Sequence, residues 1–96
     1  MQFVIIAKDG KDHAALQRRE NARADHILNV DNSMKNMVVG VATLDEGGKM
    51  NGSVMIVDFP TRKDLDEWLK LEPYVQQGVW EDITVIPCRV GPSFTK

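Results

Sequence analysis

Apolar residues fall into short β-branched runs separated by polar, helix-forming stretches. Phe3-Val4-Ile5-Ile6-Ala7 reads as a first strand, and Asp9-Gly10-Lys11-Asp12 supplies turn chemistry, with Asp12 placed to cap a helix that starts at His13. From there to about Val30 the residues are good helix formers without Gly or Pro. Leu16, Ala24 and Ile27 mark an apolar stripe, and Arg19, Arg23 and His26 mark a polar flank. The pattern weakens at Asp31-Asn32-Ser33, so the helix is expected to end between there and Asn36. Met37 to Leu44 and Ser53 to Phe59 read as strands joined into a hairpin by the polar, glycine-bearing stretch Asp45 to Gly52. Thr61 and Asp64 stand at capping-box spacing ahead of Leu65, Trp68 and Leu69, which predicts a short amphipathic helix stopped before Pro73. Tyr74 to Gly78 reads as irregular, Ile83 to Ile86 as a last strand, and Gly91 to Lys96 as an extended tail. Pro87 marks an edge position or a bulge.

The order β-α-β-β-α-β predicts an α+β domain, the ferredoxin-like sandwich with helices on one face of an antiparallel sheet. Both parities of the strands are apolar: Phe3 and Ile5 against Val4 and Ile6, Val54 and Ile56 against Met55 and Val57. Helices cover a single face, so the other requires a second layer, and a homodimer packed sheet to sheet supplies it. Pairing into a higher oligomer stays open.

At 96 residues the chain makes one domain, residues 1–96, with a modest core. A 43% hydrophobic and 27% charged composition is that of an ordinary globular protein. The net charge of -2, with acids and bases intermixed, gives no reason to expect nucleic acid or a membrane as partner. Cys88 stands alone, which fits a reducing, cytoplasmic setting and offers no zinc framework. His13 and His26 are thirteen apart with no ligand array beside them, so no metal is expected. The apolar opening is too short for a signal core or a membrane span. Gly48 to Ser53 joins strands, so its glycines serve a turn and not a phosphate.

The chemistry concentrates in His26 and Glu72. Imidazole ordinarily titrates near neutrality, and a carboxylate beside it decides which ring nitrogen carries the proton. By residue type alone, His26 has an ordinary account as a helix-surface histidine satisfied by a backbone carbonyl. Glu72 likewise reads as a solvated carboxylate at a helix C-terminus, mildly unfavourable against the macrodipole. Arg19 and Arg23 lie seven and three residues before His26 on its flank and are candidates to hold a substrate anion, although charged faces are usually just solvated. Tyr74 is a candidate pocket residue or a core tyrosine. Ser53 is a candidate ligand donor or a polar strand end. Trp68 reads as helix-to-sheet packing, and Trp80 as packing or a pocket wall.

The opening strand, Arg23-x-x-His26, the hairpin Leu44 to Ser53, and Glu72-Pro73-Tyr74 followed by Gly78 together resemble the YciI-like (YCII-related) proteins of the dimeric α/β-barrel group. The resemblance covers nearly the whole chain, with Gly91 to Lys96 as the main extra. It implies a sheet-to-sheet dimer forming an α/β barrel. It also implies an active-site dyad made of a helical histidine, matched by His26, and an aspartate before Pro-Tyr or Pro-Phe, replaced here by Glu72 with one more methylene. One branch of the family looks like dehydrochlorinases acting on chlorinated hydroxyquinols, and muconolactone isomerases are relatives by fold.

The expectation is therefore a cofactor-independent lyase or isomerase that transfers protons on a small cyclic or aromatic anion. His26 would be the base, Glu72 its orienter, and Arg23, Tyr74, Arg19 and Ser53 the binding residues. The rivals are a non-catalytic homodimer that binds a small metabolite or anion, and a metal-free oxygenase of the kind found on the same barrel.

Overall fold

Strand β1 (Gln2–Asp9) leads into helix α1 (Ala15–Asn32), the hairpin of β2 (Met37–Leu44) and β3 (Met50–Asp58), helix α2 (Arg62–Leu71), the short helix α3 (Pro73–Gln76) and strand β4 (Trp80–Cys88) in the computed structural model, which describes residues 1–95. The sheet order is β2-β3-β1-β4, and every pairing is antiparallel. This is the ferredoxin-like α+β arrangement read from the sequence. Pro87 sits in an edge strand, where its missing N–H breaks no ladder on the outer side.

Register explains the core. Phe3, Ile5 and Ala7 stand opposite Val57, Met55 and Ser53, and all six are buried beneath the helices. The alternate positions Val4 and Ile6 pair with Ile56 and Val54 on the outer face, where they continue into Val39, Val41 and Ile86. Val39, Val41 and Ile86 remain about half exposed, at 50%, 53% and 45%. A sheet with one face packed and the other apolar is unusual for a lone antiparallel layer.

Several elements differ from the sequence reading, each for a local reason. Helix α1 begins at Ala15 with no side-chain cap, because Asp12 forms a two-point ion pair with Arg18 at 2.7 and 2.8 Å. A charge-assisted fork outcompetes a single bond to a backbone N–H. The guanidinium beside Asp12 holds that carboxyl well below the usual carboxylate range. The buried stripe of α1 is Ala15, Arg19 and Ala22, whereas Ile27 is exposed. Alanines let the helix lie close on the sheet, and Arg19 enters because a buried partner awaits it.

Thr61 caps α2 as expected, accepting from Asp64 N–H at 3.1 Å, whereas the Asp64 carboxylate accepts from the Thr61 hydroxyl at 3.0 Å and not from its backbone N–H, so the capping box is half formed. Trp68 packs against Phe59 and donates from Nε1 to Ser33 Oγ at 2.9 Å. The stretch read as irregular, Tyr74 to Gly78, is helical through Gln76, because Pro73 presets the first turn. Gly78, at φ +72°, then takes the left-handed conformation that lets Val79 N–H reach back to the Tyr74 carbonyl at 2.9 Å. Strand β4 consequently starts at Trp80 and not at Ile83. In the tail, Pro92–Phe94 form a single 3₁₀ turn, and Lys96 lies outside the described residues.

Candidate active site

Glu72 is the hinge residue between α2 and α3. It ends the first helix with a backbone N–H to Leu69 O and, through its side chain, caps the second by accepting from Tyr74 N–H at 3.1 Å. By residue type alone it read as a solvated carboxylate at a helix C-terminus; it does end α2, but it is fully buried, at 0% exposure. The helix start directly behind it supplies one N–H donor, that of Tyr74, to its carboxylate.

Helix α1 brings two further donors to that carboxylate. His26 Nδ1 bonds to Oε1, and Asn29 Nδ2 donates to Oε2. A carboxylate in its ionised form only accepts, so opposite one Nδ1 would be the ring nitrogen that donates and Nε2 the one facing away from Glu72. The imidazole also stacks on Tyr74, with ring centroids 3.9 Å apart and planes 7° from parallel. Trp80, buried, meets both rings edge-on at 5.9 and 5.5 Å, so it supports the pair from within the core. Burial pushes the Tyr74 phenol up, against the pull of the nearby Arg19 and Arg23 cations.

Arg19 is not the solvated residue its type suggested. It is 3% exposed and pairs with the equally buried Asp9 through Nη1, at 2.9 and 3.0 Å from the two carboxylate oxygens. Its Nη2 donates to Ser53 Oγ at 2.8 Å, and Trp80 Nε1 donates to the same oxygen at 3.2 Å. Ser53 therefore accepts two bonds and retains one O–H to donate. The Arg19 guanidinium lies 4.8 Å from the Tyr74 ring centroid, and its Nε is buried without a partner among the described residues.

A cleft of about 270 Å³ opens over this network. Arg19, Arg23, His26, Ser53 and Tyr74 line its polar part, and Met34, Met37, Met50 and Met55 line much of the rest. Five of the six residues singled out in the sequence thus share one wall, and Glu72 stands behind it, bonded to His26. Arg19 spends its charge on Asp9; Arg23, exposed, makes no ion pair among the described residues. Sequence reasoning missed Asn29 and Asp9. Asn29 carried a signal, since it follows His26 by one helical turn, but Asp9 read as part of a turn. Among the described residues no cluster of His, Cys, Asp or Glu is arranged to hold a metal, and no helix is long and apolar enough to cross a membrane.

The fold and site together define a small ferredoxin-like domain with a histidine–carboxylate pair at a cleft. A family model described as the YCII-related domain matches residues 1–89, and the chain belongs to that family. Among solved structures it is similar to the 5-chloro-2-hydroxyhydroquinone dehydrochlorinase of Burkholderia phenoliruptrix AC1100, solved in complex with 2,5-dihydroxybenzoquinone. That likeness has a TM-score of 0.84 at 22% identity and covers 97% of this chain and 98% of that one. A protein from Agrobacterium tumefaciens is similar at TM-score 0.50 and 17% identity, over 96% of this chain and 98% of that one. At these identities the likeness shows the fold. No curated protein matches the chain.

Proposed function

We propose that this chain is a cytosolic lyase or isomerase, working as a homodimer, that moves protons on a small cyclic or aromatic anion without a cofactor. Dehydrohalogenation of a halogenated hydroxyquinol is the reaction to test first. The observation that carries this reading is a buried carboxylate bonded to Nδ1 of a histidine whose ring lies on a cleft wall. Membership of the YCII-related family supports it, as does likeness of fold to a dehydrochlorinase.

In this reading His26 Nε2 takes a phenolic proton, and Glu72 stabilises the imidazolium that results. The electron pair of the broken O–H bond becomes a carbonyl, and the imidazolium returns the proton to the ring carbon that bears the halogen. Loss of a second phenolic proton then forms a second carbonyl and a ring double bond as halide departs. The net change is loss of one hydrogen halide and formation of a hydroxyquinone, so no oxidant or reductant enters the balance. Arg23 holds the negative charge of the substrate, while Arg19, neutralised by Asp9, fixes Ser53 and Tyr74. The methionines suit an aromatic ring, since thioethers pack well against ring edges. The apolar outer sheet face supports the dimer.

Release of chloride from 5-chloro-2-hydroxyhydroquinone and related halogenated hydroxyquinols, followed together with quinone absorbance, tests the reading. One halide per quinone is the expected result. Saturable binding of these compounds with no halide released would favour the non-catalytic binding protein.

A further inference from the structure

Glu72 holds donors on both oxygens. Oε1 receives His26 Nδ1 and the Tyr74 N–H, whereas among the described residues Oε2 receives only Asn29 Nδ2. Glu72 is at 0% exposure with Asn29 in place, so no water meets Oε2 in the intact protein. With an apolar side chain of similar bulk at position 29, Oε2 would stay covered and have no N–H to meet it. The carboxylate would then either rotate away or take up a proton. Both responses remove the fixed acceptor opposite His26 Nδ1.

The residue type fits this task. An amide donates without adding charge, so it anchors the carboxylate and leaves the whole negative charge to His26. A lysine at the same place would neutralise that charge, and an aspartate would repel it. Asn29 also shares helix α1 with His26, so one rigid element delivers both groups to the same carboxylate at a spacing of one turn.

We infer that Asn29 is a positioning residue: by occupying Glu72 Oε2 it locks the carboxylate and thereby the tautomer of His26. This rests on the dyad reading above, and it adds a residue that neither the sequence nor the family likeness singled out.

Imidazole ¹⁵N spectra test it without relying on turnover. The chain holds only 2 histidines, so the His13→Gln variant assigns His26. Wild type is expected to show a protonated Nδ1 and an unprotonated Nε2 at His26. Asn29→Leu, which keeps bulk, and Asn29→Ala, which keeps helix propensity, are expected to show averaged nitrogen signals with the amide spectrum of a folded protein. On a turned-over substrate, kcat is expected to fall about tenfold to a hundredfold, the scale of one hydrogen bond to a charged group. An unchanged tautomer in whichever variant folds overturns the role of Asn29 and leaves the dyad standing. A wild-type His26 without a protonated Nδ1 overturns the dyad itself, and the inference with it.

Discussion

The imidazole of His26 lies flat against the phenol ring of Tyr74, 3.9 Å between centroids. The same short turn, Glu72-Pro73-Tyr74, supplies the carboxylate that bonds Nδ1 and the N–H that caps that carboxylate. Stacking fixes the plane of the ring, and the hydrogen bond fixes its rotation within the plane. Three consecutive residues therefore orient a side chain that lies 46 positions away from Glu72 in the chain.

Replacing Glu72 by Gln tests that arrangement at its centre. The side chain keeps its size but gains an NH₂, which is met either by an imidazole that moves its proton to Nε2 or by an Asn29 amide that turns its oxygen inward. Charge-assisted hydrogen bonds become neutral ones, so unfolding free energy in urea is expected to drop by about 1 kcal/mol. Turnover is expected to fall with it. A Gln variant as stable and as active as wild type would show that the carboxylate is incidental.

The buried pair of Asp9 and Arg19 predicts a larger and asymmetric effect. Asp9→Ala leaves a guanidinium stranded at 3% exposure, and such an unpaired charge costs about 3–5 kcal/mol. The double change Asp9→Leu with Arg19→Met removes both charges and is expected to lose less than Asp9→Ala alone. Equilibrium denaturation of both variants and of wild type gives the comparison. Equal losses would mean that the pair is not the source of the cost.

These residues also mark where sequence reading reached its limit. The strands and the cap at Thr61 were legible because periodicity and cap chemistry are local signals, whereas the approach of His26 to Glu72, 46 residues apart, followed only from the resemblance to the YciI-like proteins. Arg19 was not, because its burial depends on Asp9, ten residues away, and on Ser53 across the sheet. Glu72 looked like an unfavourable helix end because nothing in Tyr74 to Gly78 announced a second helix for it to cap. The dependence of one element on the placement of another carries no pattern of its own in the chain.

Tyr74 predicts an alkaline signature. It is the one tyrosine in the sequence, so phenolate absorbance near 295 nm reports it alone. Burial raises its pKa above the ordinary value of 10.0, so the midpoint in the native protein is expected above that of the unfolded chain. The sign follows from linkage: the neutral phenol is favoured on folding, so its contribution is complete below the unfolded pKa and is lost as pH rises through the native one. A native midpoint at or below the unfolded value would contradict the buried placement.

The outer sheet face predicts self-association. Val41→Asp and Ile86→Lys place charges among apolar positions that are half exposed in the single chain. Sedimentation is expected to give a dimer for wild type and a monomer for the double variant. Identical behaviour of the two proteins, whether monomer or dimer, would remove this face as the interface.

The His26→Gln variant, assayed on any compound that wild type turns over, addresses the proton-transfer claim most directly. The expected result is a loss of about 10²–10⁴ in kcat/KM with the melting curve and oligomeric state retained. Turnover unchanged in a folded His26→Gln protein would contradict the assignment of this histidine as the base.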